Sequence, residues 1–387
     1  MIDGTKHWLL TEGRLLPDPL DFVDTLCRRI RQDGIPLDRL RIGFQTIHPQ
    51  LDVCTYYWND TDNKASTWGG EHGIRSSSSY YGSPAEWVHD HKTMFRKRLD
   101  ELVPGKDHLV LFEQQVAGYT DYIMLPLGFM DGSTSLVTYC TRHKDGFSDQ
   151  DILDLQELVN YIAPIIEVHA TRTIAVTLLD TYTGHRTGER ILNGTIQRGS
   201  GEAIEAALWF CDLRNFTSIS ETRSQEEVFG LLNEYFQTVS DALKHRNGEI
   251  LKFIGDAVLA IFPVTDTTPP EENCQSALEA AEDCLSALKA INVRRQRGGQ
   301  PEIHVGIGLH FGKALYGNVG AEDRLDFTVM GPAVNLASRL ESLTKETGHA
   351  LLVSDIFASK IDRETQLIGE FTLKGLKNRL AVYSLTP

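Results

Sequence analysis

Basic residues are the minority charge in this 387-residue chain: 38 Lys and Arg stand against 53 Asp and Glu, for a net charge of -15. That balance argues against a broad nucleic-acid footprint and against attraction to an anionic membrane surface. No nucleic-acid or membrane partner is therefore expected, and an anionic ligand would have to be met locally by a metal or a few cations. Cysteine is scarce as well. The six (Cys27, Cys54, Cys140, Cys211, Cys274, Cys284) form no CxxC pair, which fits reduced thiols in a cytoplasmic protein better than a disulfide framework. No uninterrupted apolar run reaches the about 18 residues of a membrane span. The opening MIDGTKHWLL lacks a basic region followed by an apolar core, so no signal peptide is read. Internal repeats are lacking, and the serine run in GIRSSSSYYGSP is the one low-complexity stretch. What is there, 41% hydrophobic and 24% charged residues, is the composition of a globular protein long enough for two domains and a connector.

Periodicity divides the chain into three zones. Residues 1–147 mix a helical pattern (Leu20 to Ile30) with strand-like runs at RIGFQTI, DVCTYYW, DYIMLPLGF and STSLVTYC, an α+β domain with polar loops. Residues 148–202 read as a helical dimerising stalk and hinge. Ser148 can cap the first turn, and Leu155, Val159, Ile162 and Ile166 recur at the steps of a coiled-coil seam. Pro164 inside that pattern should kink or divide the helix. From 203 to 387 the order is strand, helix, hairpin, helix, strand, the ferredoxin-like βαββαβ arrangement, followed by a short hairpin around KALYGNVGAEDRLDFTV and a helix from Pro332 to Thr347.

LKFIGDAVLAIF, Leu251 to Phe262, places a Gly-Asp pair between two apolar runs, the signal of a tight hairpin turning at Gly255 and Asp256. In this topology Asp256 comes to lie beside Asp212, which ends the apolar run AALWFCD. Two carboxylates at neighbouring strand ends repel unless a cation lies between them. Hard divalent ions take few protein carboxylates plus phosphate oxygens, so the pair suits a metal-bound nucleotide. The backbone amides of the following turn, at Phe216 and Thr217, could cradle phosphates. A lone strand-end aspartate is ordinarily just a cap; the pairing is what singles these two out.

FCDLRNFTSIS, NEYF, GEILKFIGDAVLAIF, GIGLHFGKALYGNVG, DFTVMGPAVNLASRLE and FTLKGL occur in the order and spacing of the catalytic domain of class III adenylyl and guanylyl cyclases, so residues 203 to 385 resemble that family. The resemblance implies that Asp212 and Asp256, with the Leu213 carbonyl, hold two Mg²⁺ or Mn²⁺ ions. It implies that Asn335 orients the ribose, that Arg339 stabilises charge on the pentavalent phosphorus, and that Lys374 meets the terminal phosphates. Asn335 and Arg339 are four apart, so one helix face presents both. Lys252 and Thr328 take the base-reading positions. A lysine donor and a hydroxyl acceptor suit the adenine edge, whereas guanylyl cyclases typically carry Glu and Cys there. The Lys and Thr pair resembles the subclass of soluble, bicarbonate-responsive adenylyl cyclases, which implies ATP as substrate and bicarbonate as a candidate regulator. The resemblance also implies a homodimer in which metal- and Lys-bearing strands of one chain face Asn and Arg of the other, with the arm KALYGNVGAEDRLDFT as contact. The amino-terminal domain more faintly resembles a GAF sensor. Guanylyl or mixed purine cyclase activity, and a nucleotide-binding regulator without turnover, are the alternative readings.

Overall fold

A computed structural model describes residues 2–372 and 379–386. It divides into two compact units, Met1–Leu178 and Leu179–Pro387.

The first unit runs α1 (Asp3–Leu10), α2 (Pro19–Gln32), β1 (Arg39–Gln45), β2 (Leu51–Asn59), β3 (Ser66–Glu71), α3 (Pro84–His91), β4 (Phe95–Arg98), α4 (Leu109–Val116), β5 (Asp121–Gly128), β6 (Thr134–Thr141) and α5 (Asp149–Thr183). Its six strands lie in the order β3-β2-β1-β6-β5-β4. Period-two alternation sends Leu40, Ile42 and Phe44 to one face, where they pack with Phe22, Leu26 and Ile30 of α2 and with α5. Ser148 caps α5 as expected, its Oγ accepting from the Asp151 amide at 3.2 Å while the Asp151 carboxylate accepts from the Ser148 amide at 2.8 Å.

Three expectations about the stalk need correction. Leu155, Ile162 and Ile166 are fully buried in the core of the first unit, so these seam positions are spent on intrachain packing. Nor does Pro164 divide the helix, which is continuous from Asp149 to Thr183. Burial of Ile162, Ala163, Ile165 and Ile166 on both sides of the proline offsets the about 3 kcal/mol that a missing amide bond and ring clash cost. Finally, α5 is long and apolar enough, by length and composition, to cross a membrane. Counting uninterrupted apolar residues missed this because isolated charged residues such as Glu167 and Arg172 break the run.

The second unit runs α6 (His185–Leu192), β7 (Gly201–Leu213), α7 (Phe216–Thr222), α8 (Gln225–His245), β8 (Glu249–Ile254), β9 (Ala257–Pro263), α9 (Pro270–Arg297), β10 (Val305–Gly320), β11 (Leu325–Met330), α10 (Pro332–Thr347), β12 (Leu351–Ser354), α11 (Asp355–Ala358), β13 (Thr365–Phe371) and β14 (Leu380–Leu385). Strands β10-β7-β9-β8 form the ferredoxin-like core of a larger sheet, extended by β12, β14 and β13. Along β7, Ala207, Trp209 and Cys211 face α8 and α9, while Ala206 and Leu208 face Ala333 and Ala337 of α10. Asp212 shares the second face by the same alternation. Helix α10 lies unusually close to β10: a side chain on Gly308 would meet the Ala337 carbonyl at 2.3 Å. The arm is the expected hairpin, with β11 paired to the outer half of β10 from Leu315↔Met330 to Gly320↔Leu325.

Candidate active site

The first element of the site is the two-residue turn joining β8 to β9. Ile254 pairs with Ala257, and Gly255 adopts a left-handed backbone (φ 63°) that a side-chain-bearing residue would strain. The turn holds Asp256 next to Asp212, whose residue is in register with Ala257. The carboxylates feel one another: burial, and then the charge of Asp212, raise the Asp256 pKa above the ordinary carboxylate range. On the α10 side, Lys345 Nζ lies 3.4 Å from Asp212 Oδ2. Beneath it Glu341 is buried, accepts from Arg214 Nη1 at 3.0 Å, and has its pKa raised by burial and by Asp212.

Among the described residues no group of three or more His, Cys, Asp and Glu side chains is arranged to hold a metal ion. The Asp212 and Asp256 pair nevertheless fits a hard divalent cation, because two carboxylates that disfavour each other's ionisation are the charge pattern such a cation relieves. Leu213 follows as the last residue of β7, its side chain buried and its position in register with Val305.

Lys252 lies on β8 and reaches the arm, where its ammonium pairs with the Asp326 carboxylate. Asp326 and Thr328 are two apart on β11 and share a face. Lys252 is thus tied, through Asp326, to the arm strand that carries Thr328. Strand β8 leads into the turn that carries Asp256, and β11 leads into α10, which carries Asn335 and Arg339.

Asn335 is exposed and Arg339 partly exposed on α10, while Leu336, Ala337, Leu340 and Leu343 face inward. Neither side chain makes a hydrogen bond or ion pair with any described residue, so nothing joins them to Asp212 or Asp256 within the chain. Phe216 is partly buried against the core over α8 and α9, and Thr217 is exposed in the first turn of the seven-residue α7. Lys374 lies outside the described residues.

Four neighbours of the site went unread in the sequence: Arg214, Glu341, Lys345 and Asp326. Glu341 and Lys345 are four apart on α10, a spacing that could have placed them together. Nothing local indicates that they point at Asp212.

The family model of the adenylate and guanylate cyclase catalytic domain matches residues 200–387. Adenylate cyclase 1 of Rhizobium meliloti (strain 1021) is 30% identical over 306 residues, 76% of this chain and 45% of the relative. The adenylate cyclase of Anabaena cylindrica is 38% identical over 164 residues, 41% of this chain and 31% of the relative. The chain thus spans less than half the length of either. Among solved structures, an adenylyl cyclase from P. aeruginosa is 27% identical with TM-score 0.46, covering 49% of this chain and 96% of that one. A bacterial light-regulated adenylyl cyclase is 26% identical with TM-score 0.49, covering 60% and 64%. Residues 200–387 are thus similar to the adenylate and guanylate cyclase catalytic domain, and the match begins where the second sheet begins.

Proposed function

We propose that the chain converts ATP to 3′,5′-cyclic AMP and pyrophosphate at a site completed by a second copy. The observation that carries the reading is the side-by-side placement of Asp212 and Asp256 at the end of β7 and the tip of the β8–β9 turn. In this reading the two carboxylates, with the Leu213 carbonyl, hold two Mg²⁺ or Mn²⁺ ions, which when bound activate the ribose 3′-hydroxyl and neutralise the leaving pyrophosphate. Lys252 donates to adenine N1 and Thr328 accepts from the 6-amino group. Asn335 orients the ribose, Arg339 spreads the charge of the pentavalent phosphorus over its guanidinium, and Phe216 and Thr217 present amides to the phosphates. Lys374 serves the terminal phosphates.

Support for a homodimer is the unpartnered state of Asn335 and Arg339, together with exposed apolar residues beside the site: Phe253 and Ile254 on β8, Leu315, Val319 and Leu325 on the arm. The first unit acts as a sensor, GAF-like in its antiparallel sheet backed by α2 and α5, and bicarbonate acts on the catalytic unit in a cytoplasmic enzyme. The test is a product assay on the purified chain with ATP or GTP, each metal, with and without bicarbonate. Cyclic AMP as main product supports the reading. Comparable cyclic GMP would make it a mixed purine cyclase, and bound ATP without product a regulatory protein.

A further inference from the structure

Among the described residues of the first unit some arginines pair with an acid and others, Arg39 and Arg41 among them, do not. Arg96 lies 2.8 Å from Asp121, and Arg142 pairs with Asp60. Arg39 and Arg41 stand two apart on β1, on the sheet face opposite Leu40, Ile42 and Phe44. Neither has a carboxylate within ion-pair distance among the described residues. The Arg39 guanidinium donates to the Gln114 side-chain oxygen and lies 5.1 Å from the Tyr57 ring centre. The Arg41 side chain, partly buried, makes no hydrogen bond or ion pair among the described residues and lies 5.4 Å from the Trp68 ring centre.

The neighbours continue this pattern. Gly43 extends the same face with no side chain, and Thr55, its partner on β2, is buried with a hydroxyl that finds no partner among the described residues. Trp68, opposite Thr55, is 48% exposed, so the patch opens to solvent. Two like charges held at adjacent positions on one face, half desolvated, repel each other and lose hydration. A structural pair of arginines would be expected to recruit an acid, as Arg96 does.

We propose that Arg39 and Arg41 form an anion site that takes a small organic molecule bearing a carboxylate or phosphate on a flat apolar body. The two guanidinium forks hold the charged group, and Trp68 and Tyr57 flank the body. The site is independent of the reaction of the second unit, and it is where the first unit would receive its signal.

The test titrates the full chain with benzoate, phenyl phosphate, inorganic phosphate and, as neutral control, benzamide, reading tryptophan fluorescence and thermal melting. Wild type is expected to bind benzoate or phenyl phosphate saturably below about 10 mM, with a raised melting temperature and no response to benzamide. The inorganic phosphate arm tells whether the charge alone suffices. Arg41→Met should abolish the response while the ligand-free chain melts no lower than wild type, because an uncompensated charge has been removed. Arg41→Lys, which keeps the charge and loses the fork, should weaken binding about tenfold, and it serves if the Met variant does not fold. Absence of any anion response in wild type, or an undiminished response in both variants, overturns the site. Dissociation of an oligomer by Arg41→Met, with no anion response in wild type, overturns it in favour of a protein contact.

Discussion

Asp121 heads β5 in the first unit with no exposed surface, and its carboxylate accepts from Arg96 at 2.8 Å and from the amides of Phe147 and Tyr122 at 3.0 Å each. Asp212 ends β7 in the second unit with Asp256 beside it, and among the described residues its nearest cation is Lys345, at 3.4 Å and half exposed. Both are acids at sheet ends. In the first unit the charge is fully met from within the chain, so the residue reads as a structural anchor of the β5 start and the turn into α5. In the second, two charges are set against each other with one long contact for relief. A fold tolerates that arrangement where something else supplies the compensation, which is the physical ground for placing a divalent cation there.

Substitutions at the two acids should separate these roles. The largest effect expected is on turnover: Asp256→Ala should lower cyclic-product formation by roughly a thousandfold or more, measured at saturating ATP and metal, without unfolding the chain. Unchanged turnover would remove the metal assignment. Next, Asp121→Ala should lower stability by about 3–5 kcal/mol, because it leaves Arg96 half-buried without its acid; denaturant unfolding of the full chain reads this. Lys252→Glu combined with Thr328→Cys should move the ATP/GTP ratio of kcat/KM toward GTP by about tenfold or more, while an unchanged ratio would leave base reading elsewhere.

Two smaller effects sharpen the contrast. Asp256→Asn should leave the metal-free chain as stable as wild type or more so, by about 1 kcal/mol at neutral pH, since it removes the repulsion with Asp212. The other effect concerns His310, buried on β10 with Nδ1 2.8 Å from Ser354 Oγ, whose pKa is lowered by burial to about 4. Its unfolded value is about 6.5, so the unfolded chain binds the extra proton first. The stabilisation is complete above pH 6.5 and is lost as pH falls toward 4, up to about 3 kcal/mol. His310→Gln should flatten that part of the stability curve.

What could be read from residues alone follows the range of the interactions involved. The Gly255–Asp256 turn, the capping of α5 by Ser148, the Pro332 start of α10 and the inward face of that helix are decided within a few residues, and they were legible. The seam positions were misread because a four-three repeat of apolar residues looks the same whether it meets a second chain or its own sheet. Leu155, Ile162 and Ile166 meet their own sheet. Contacts spanning long stretches of chain left no local trace: Lys345 to Asp212 crosses 133 residues and Lys252 to Asp326 crosses 74. The pairing of Arg39 and Arg41 was visible as letters. Their lack of an acid was not, since that depends on every strand and loop around them.

Binding of Mn²⁺ in the presence of a non-hydrolysable ATP analogue, followed by the paramagnetic signal of the free ion, tests the central claim most directly. The account predicts saturable uptake by the wild-type chain that falls at least tenfold in affinity in both Asp212→Asn and Asp256→Asn. Uptake of equal affinity in wild type and both variants would contradict it.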